Sequence, residues 1–163
     1  MNGKLSFWFD ANDTSTLVSA AGVVSQWNDK SGNNHNLSKD TNSSKPTTNA
    51  HTQNGLNVVH FDGDDLLKRN YSNILDYDQT WIMVAQIDTG GINNNGDSLI
   101  SYGGGNDGRW ELRANNTNNF TSKIAKDGNW LQGTLTRNVT FDAYHIFTIS
   151  FDRNGSTLSN WVD

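Results

Sequence analysis

Carboxylate side chains are the first candidates for chemistry in this sequence, and their number and spacing restrict what they can do. Retaining glycoside hydrolysis needs two carboxyl groups about 5 Å apart. The chain has a single glutamate, Glu111, and no strand carries a run of alternating aspartates, since Asp76 and Asp78 precede a predicted strand. We therefore predict that the chain is not an enzyme, and no catalytic residue is assigned.

Two loops carry clusters of oxygen-bearing side chains. Calcium binds about six to eight oxygen atoms from carboxylates, amides and carbonyls. One cluster contains three aspartates, and the other contains two aspartates and an asparagine: Asp62, Asp64 and Asp65, then Asp10, Asn12 and Asp13. Neither has the spacing of a defined calcium loop, and Asp and Asn also fill loops because they form turns. The sequence leaves both interpretations open, and of the two clusters the Asp62 cluster is slightly the better candidate for calcium.

Two of the six tryptophans, Trp110 and Trp130, each follow a polar turn that contains glycine. An indole face presented at such a turn can stack on a sugar ring, with Asn106 and Asp107 available for the sugar hydroxyls. The alternative is that these tryptophans only close one end of a sandwich. The tryptophans in apolar strand patterns are assigned to the core: Trp8, Trp27 and Trp81.

Two other motifs predict no chemistry. The glycines Gly103, Gly105 and Gly108 have the spacing of a dinucleotide-binding loop, but that loop must lead into a helix, and the residues that follow are typical of a strand. The four histidines are scattered without the spacing of a helical zinc site. We interpret them as surface or structural residues.

The elements that must position these residues are strands. Residues 81–87 form the one nearly unbroken apolar run, which we predict to be the central strand. Residues 144–152 alternate between apolar and polar side chains, which indicates a strand with one buried face. Further strands are predicted at residues 5–9, 23–27 and 56–61, with one or two short edge strands within 33–54.

The remaining strands pair as hairpins around turns rich in glycine. Residues 98–102 are predicted to pair with 109–113, residues 120–125 with 130–135, and residues 144–152 with 158–162. Many short strands without a convincing helix are typical of a sandwich. The sequence therefore predicts an all-β fold, an antiparallel two-sheet β-sandwich.

A succession of motifs resembles a known family. It runs through Phe7-Trp-Phe-Asp-Ala-Asn-Asp13, Val24-Ser-Gln-Trp-Asn-Asp-Lys-Ser-Gly32, Pro46 and Asn54-Gly-Leu-Asn-Val-Val-His-Phe-Asp-Gly-Asp-Asp-Leu66. This order resembles the laminin-G-like, concanavalin A-like jelly-roll modules of bacterial and phage surface proteins. The resemblance implies one jelly-roll domain over residues 1–163, without the family's last strands, and a family in which bound calcium is frequent.

Composition restricts the partners. A formal net charge of -5 argues against nucleic acid, which attracts clustered Lys and Arg. No apolar run is long enough for membrane insertion or for a signal peptide. With no cysteine, disulfides and thiolate zinc sites are excluded. We expect a chain made without export or a piece of a longer protein.

Two functions are expected from these features. The first is a non-catalytic recognition or adhesion module that binds a glycan or another cell-surface ligand. The second is a structural or decoration subunit that contacts other proteins of a phage virion. Both imply a virion or extracellular surface. Because the family has more strands than this chain, we also expect residues 158–162 to lie at a sheet edge and to support a homo-oligomer by strand addition.

Overall fold

The computed structural model describes residues 5–70, 78–89, 97–102, 110–114, 120–126, 129–135, 139–152 and 157–163. These residues form twelve β-strands and two short 3-10 turns, Thr14–Thr16 and Asn42–Ser44, and no α-helix occurs among them. Every strand pair is antiparallel. The prediction of an all-β antiparallel fold is confirmed, while the jelly-roll topology stays a prediction.

The chain divides into two compact units, Met1–Asn70 and Tyr71–Asp163. The first contains five strands in one sheet, in the order β1-β2-β4-β5 with β3 paired to β2. Their bounds are β1 Leu17–Ala20, β2 Val23–Trp27, β3 Leu37–Ser38, β4 Thr47–Gln53 and β5 Leu56–His60. The prediction of a single domain is not tested by this division and stays a prediction.

Two tight turns set the register of the first sheet. Ala21 and Gly22 connect β1 to β2, and Asn54 and Gly55 connect β4 to β5. All four residues have positive φ angles, between 50° and 80°. Two consecutive residues with positive φ form the hairpin turn whose twist matches that of the flanking strands. In this sheet, β4 is seven residues long and lies between β2 and β5. The expectation of only short edge strands within residues 33–54 is therefore wrong for β4.

The predicted strand at residues 5–9 is absent. Side chains of the loop after β2 form hydrogen bonds with the backbone of this segment, where a neighbouring strand was expected. The Trp8 N–H donates to Asp29 Oδ1 at 2.9 Å. The Asn33 side-chain amide donates to the Leu5 carbonyl at 2.9 Å. The assignment of Trp8 to the core is also wrong, because its side chain is 48% exposed.

The second unit contains two sheets. One has the strand order β10-β9-β8-β7, and the other has the order β12-β11-β6. The bounds are β6 Gln79–Gln86, β7 Asp97–Tyr102, β8 Trp110–Ala114, β9 Phe120–Lys126, β10 Asn129–Leu135, β11 Tyr144–Asp152 and β12 Thr157–Val162. The three predicted strand pairings are confirmed. The prediction of β6 as central is wrong, since β11 is the middle strand of its sheet and β6 lies at one end.

The core of the second unit lies between these two sheets. Phe120 of β9 and Phe147 of β11 have ring centroids 4.5 Å apart. One cluster of buried side chains joins both sheets: Leu112, Phe120, Val139, Phe147, Ile149, Phe151 and Val162. A buried polar contact crosses the same space, from Asn160 Nδ2 to Ser122 Oγ at 2.9 Å. The second unit is therefore a two-sheet sandwich with one apolar core.

Within the described parts of the chain, no helix has the length and apolarity needed to cross a membrane.

Candidate functional site

The outer face of the four-stranded sheet in the second unit is polar. Leu112 belongs to the core cluster, so its neighbours Glu111 and Arg113 lie on the opposite face of β8. Across the ladder, Glu111 pairs with Ser101 of β7 and with Lys123 of β9. The face therefore carries acidic, basic and hydroxyl side chains in adjacent positions. We call these residues the polar face: Ser101, Glu111, Arg113, Thr121 and Lys123.

Glu111 is only 2% exposed, although it lies on the side of the sheet away from the core. Its Oε1 lies 3.5 Å from Arg113 Nη1. Burying an ionised carboxylate is costly unless it is paired, so this ion pair explains how the residue is tolerated there. No second carboxylate of the described chain lies in the same ladder row, which pairs Glu111 with serine and lysine. Among the described residues, the neighbours of Glu111 in its row are therefore a hydroxyl and an amine.

The predicted sugar-binding tryptophans occupy different faces of this sheet. Trp110 pairs with Ile124, and Trp130 pairs with Ala125. Because consecutive residues of β9 alternate between faces, the position of Trp110 belongs to the core face. The position of Trp130 belongs to the polar face.

The other two predicted ligand-binding residues, Asn106 and Asp107, lie outside the described residues. The structure therefore brings the position of Trp130, but not that of Trp110, to the side that carries Glu111, Arg113 and Lys123.

The predicted metal-binding loop follows β5. Oxygen atoms of Asp62, Asp64 and Asp65 lie within 4.8 Å of one another, and they form the one group of this kind among the described residues. Gly63, with a φ of 106°, turns the chain between them. The Asp62 N–H donates to Asp65 Oδ2 at 3.1 Å. The hydrogen bond that brings the carboxylates close together is thus also one that an ordinary turn forms.

Burial and the neighbouring acidic groups change the pKa of one carboxyl group in this loop. Burial, and then the neighbouring carboxylates of Asp62 and Asp64, raise the pKa of Asp65, although its hydrogen bond from the Asp62 N–H acts in the opposite direction. Asp62 and Asp64 are exposed, so that water can supply further oxygen ligands. The donor set, which is oxygen only, is the type that calcium prefers.

The second predicted cluster already binds a cation from the chain itself. Lys30 Nζ lies 3.1 Å from Asp10 Oδ2 and 2.7 Å from Asp13 Oδ2. The hydrogen bond from Lys30 is the largest of the interactions that lower the pKa of Asp13. Asn12 Oδ1 accepts the Asn57 N–H at 3.3 Å. Calcium at this cluster would have to displace Lys30, so the Asp62 cluster fits the ion better.

Sequence reasoning missed the role of Asp29, in the loop after β2. Its side chain is fully buried, with 0% exposure. Its two oxygens accept hydrogen bonds from the Trp8 N–H, the Ser31 N–H, the Ser31 hydroxyl and the His35 N–H. The signal in the sequence is an aspartate followed two residues later by serine, a pattern typical of an Asx turn. Asp29 fixes the segment that carries the exposed Trp8.

Trp8 itself is held beside the lysine of the same region. Lys30 Nζ lies 4.5 Å from the centroid of the Trp8 ring, within the range of a cation–π contact. One exposed aromatic ring is thereby placed next to two aspartates and a lysine.

Comparison of the chain with protein-family models, with curated proteins and with solved structures found no match. The resemblance to the laminin-G-like and concanavalin A-like modules therefore stays a prediction that rests on the motifs of the first sixty-six residues.

Proposed function

We propose that this chain is a non-catalytic recognition module that binds carbohydrate or another cell-surface ligand, on a virion or an extracellular surface. The observation that carries the non-catalytic part is the state of Glu111. The single glutamate of the chain is buried in an ion pair with Arg113. A general acid or nucleophile must reach the substrate, and a buried, paired carboxylate cannot do so without breaking that contact.

The polar face is where we place the ligand. Sugars are bound through an aromatic platform and hydrogen-bonding groups around it. Thr121 and Lys123 are partly exposed hydrogen-bonding side chains, and the position of Trp130 lies on the same side of the sheet. Arg113 forms an ion pair with Glu111 and lies on the same polar face. These features support a glycan ligand on this face.

A glycan array probed with the full chain tests this proposal. We expect binding of at least one glycan class at micromolar concentration, and we expect Trp130→Ala to weaken it at least tenfold. Trp161→Ala, on the other sheet of the same unit, is the matched control and should bind as the unaltered chain does. An array without binding, or equal losses in the two variants, would contradict the proposal.

A second test addresses catalysis directly. We expect no hydrolysis of common β-glucans, because one buried glutamate cannot supply two carboxylates about 5 Å apart. Turnover that disappears in Glu111→Gln, while the variant keeps its fold by circular dichroism, would show that the chain is an enzyme.

Calcium is part of the same proposal. The Asp62 cluster would hold the ion, because oxygen atoms of its three carboxylates lie within 4.8 Å of one another. Bound there, calcium would stabilise the loop between β5 and the end of the first unit. It would also neutralise the repulsion between the three side chains.

The alternative function is a structural or decoration subunit of a phage particle. The position of β12 favours it, because β12 pairs only with β11 in the described sheet and lies at its end. A strand at a sheet edge can accept a strand of another chain. Sedimentation at increasing concentration tests this alternative, which predicts self-association. A chain that stays monomeric and binds a glycan would contradict it.

A further inference from the structure

One tryptophan of the first unit is exposed although its backbone is fixed. The Trp8 side chain is 48% exposed. Its backbone N–H donates to Asp29 Oδ1 at 2.9 Å, and its carbonyl accepts the Lys30 N–H at 2.8 Å. Because the Asp29 side chain is fully buried, both backbone groups of Trp8 are bonded to one anchored loop. The indole is therefore an ordered aromatic surface in contact with water.

Two carboxylates and an ammonium group lie beside this indole. Lys30 Nζ is 4.5 Å from the centroid of the Trp8 ring. The same Nζ is 3.1 Å from Asp10 Oδ2 and 2.7 Å from Asp13 Oδ2. Since all three distances share one atom, neither carboxylate oxygen is more than about 8 Å from the ring centroid. One small ligand on the indole can therefore reach both carboxylates.

The two carboxylates can still accept hydrogen bonds. Asp10 Oδ1 accepts the Asn12 N–H at 3.1 Å, and Lys30 donates to Asp10 Oδ2. Asp13 Oδ1 accepts the Ser15 hydroxyl at 2.6 Å, and Lys30 lies at Asp13 Oδ2. Within the described chain each oxygen thus has one donor, whereas a carboxylate oxygen has two lone pairs. The side chains of Asp10 and Asp13 are 35% and 33% exposed, so water or a ligand hydroxyl can occupy the remaining positions.

A single exposed tryptophan is not by itself a site, since apolar residues scattered over a surface are normal. Trp161 of β12 is equally exposed, at 50%, and among the described residues no ammonium group contacts its ring. Trp8 differs because Lys30 and the carboxylates of Asp10 and Asp13 are ordered beside its ring. A surface whose hydrogen-bonding groups are already in place binds a ligand at a lower cost in entropy.

The charges select the class of ligand. Two carboxylates against one ammonium group leave one negative charge beside the ring, which disfavours an anion. Lys30 already lies over the ring, so a second cation there would be repelled by a like charge. An entirely apolar ligand would remove water from the carboxylates without replacing their hydrogen bonds. The ligand that fits is neutral, with an apolar face for the indole and hydroxyl groups for the carboxylates.

A pyranose sugar has this combination of groups. Its C–H groups form an apolar face that can stack on an indole, and its hydroxyls can both donate and accept. The hydroxyls can donate to Asp10 and Asp13. No described residue accepts the indole N–H of Trp8, so a sugar oxygen can accept it.

We propose that Trp8, Asp10 and Asp13 form a carbohydrate site in the first unit, which binds one neutral pyranose ring. The ring stacks on the indole, and its hydroxyls donate to the two carboxylates that Lys30 holds in place. This site is separate from the polar face of the second unit and does not rest on it.

NMR of the isotope-labelled full chain reads this site by itself. The six tryptophans give six indole N–H signals, and the signal that disappears in Trp8→Phe is that of Trp8. Methyl β-D-galactopyranoside and methyl β-D-glucopyranoside are the probes. We expect at least one of them to shift the Trp8 signal saturably, with a dissociation constant on the order of 1 mM. The signal of Trp161 should not shift.

A charged probe tests the selection by charge. Methyl β-D-galactopyranosiduronate has the ring of the galactoside and one added carboxylate. At low salt it should bind about fivefold or more weakly than the galactoside, because the site already carries a negative charge. The difference should shrink as salt screens the charges.

Variants locate the binding. Trp8→Ala removes the ring and keeps both backbone hydrogen bonds, and it should abolish the shifts that the probe causes in the Asp10 and Asp13 amide signals. The double substitution Asp10→Asn with Asp13→Asn should weaken binding at the Trp8 signal at least tenfold. Asp40→Asn, at an exposed aspartate of the same unit, is the matched control and should change nothing. Circular dichroism and the melting curve confirm that each variant is folded.

Three outcomes would overturn the proposal. The first is an unchanged Trp8 signal at the highest soluble concentration of both glycosides. The second is equal shifts of the Trp8 and Trp161 signals, which would show unspecific stacking. The third is unweakened binding by the double variant, or binding of the uronate as tight as that of the galactoside.

Failure of this proposal and failure of the polar-face proposal are distinguishable. Trp130→Ala should leave the titration of the Trp8 signal unchanged, because Trp130 belongs to the second unit. A single sugar ring bound in the millimolar range lies below the micromolar binding that the glycan array detects. A blank array therefore contradicts binding at the polar face, and an unchanged Trp8 signal contradicts binding at Trp8.

Discussion

Asp29→Asn is the substitution that tests the most specific feature of the first unit. The carboxylate of Asp29 is buried and accepts two hydrogen bonds on each oxygen. Oδ1 accepts the N–H groups of Trp8 and Ser31, both at 2.9 Å. Oδ2 accepts the Ser31 hydroxyl at 2.7 Å and the His35 N–H at 3.0 Å. Asparagine has the same shape, but only one of its two terminal atoms can accept.

The asparagine amide can adopt two orientations, and the hydrogen-bond donors around it determine which one is more stable. Placing its NH₂ group at the position of Oδ2 lets the Ser31 hydroxyl rotate and accept, so only the His35 N–H loses its acceptor. The charge that strengthened the remaining bonds is also lost. A backbone donor left without an acceptor costs about 1–3 kcal/mol, and bonds to a charged group contribute about 1.5–3 kcal/mol. We expect the local opening free energy to fall by about 2 kcal/mol, roughly a 30-fold change in the opening equilibrium.

Amide hydrogen exchange followed by NMR measures this change residue by residue. Protection of the His35 amide should fall about 30-fold in Asp29→Asn, and the Trp8 and Ser31 amides should lose less because the remaining oxygen still accepts from them. Asp40→Asn, an exposed aspartate of the same unit, is the matched control. Its effect should stay within about 0.5 kcal/mol. Unchanged protection of His35, or an equal effect of both substitutions, would refute the reasoning.

The pH dependence gives an independent readout. Burial alone would raise the pKa of Asp29, but the hydrogen bonds from Ser31, Trp8 and His35 outweigh it and lower the pKa below its ordinary value. Such a carboxyl stabilises the folded state fully above its unfolded pKa of about 3.9, and this stabilisation is lost as the pH falls through the lower folded value. Protection of the Trp8 and His35 amides should therefore fall below about pH 4. In Asp29→Asn the same profile should be flat.

Three particular contacts give further predictions. A chelator should lower the melting temperature of the chain, because calcium bound only to the folded state stabilises it; Asp65→Asn should remove this dependence, and identical melting curves with and without calcium would contradict it. Asn160→Ala should destabilise the second unit by about 0.5–1.5 kcal/mol, because it removes the hydrogen bond that the Asn160 amide donates to the buried Ser122 hydroxyl; chemical denaturation measures the loss. Lys30→Met should raise the pKa of Asp13, because the hydrogen bond from Lys30 is the main cause that lowers it; an NMR titration without an upward shift would rule this out.

The second unit was largely predictable from the sequence. Residues 144–152 were bounded correctly because their apolar and polar side chains alternate, and the structure places the apolar ones in the core. The outer face of β6 was not predictable. Its run of apolar residues has no alternation, so that a strand buried on both faces and a strand with an exposed apolar face look alike in sequence. Only the structure shows that Ile82 and Val84 are exposed.

The first unit was predictable where a turn or an alternation was present, and not elsewhere. Val23–Trp27 was bounded correctly, but β1 was missed, because Ala21-Gly22 is a weaker hairpin signal than Asn-Gly. Residues 5–9 have the composition of a strand, but several of their backbone groups bond to side chains, beside one backbone hydrogen bond from the Lys30 N–H to the Trp8 carbonyl at 2.8 Å. Sequence patterns report the apolar and polar faces of a segment, and they do not report whether its backbone partner is another backbone or the side chain of Asp29 or Asn33.

The candidate site shows the same limit. Trp130 and Trp110 both follow a turn in the sequence, but the position of Trp130 falls on the polar face and that of Trp110 on the core face. The face that a strand residue occupies depends on the register between its strand and the neighbouring strands. A turn motif with several glycines does not determine that register. The Asp62 cluster was found because its three aspartates lie within four residues of sequence, a distance at which side chains meet in almost any turn.

The two units are stabilised by different means, and this explains how a chain with only 34% hydrophobic residues folds. The described cluster of buried apolar side chains belongs to the second unit, and the first unit adds the buried Leu17 and Val24. In the first unit, asparagine and aspartate side chains connect segments that are far apart in sequence. Asn57 Nδ2 donates to the Ala11 carbonyl at 2.6 Å and to Thr48 Oγ1 at 2.8 Å, and Asp29 binds the segment around Trp8. A high content of asparagine and aspartate suggests long loops in the sequence, but in the first unit these side chains form structural contacts. A substitution that keeps their polarity but changes their donors and acceptors should therefore lower the free energy of unfolding as much as a cavity in the second unit does.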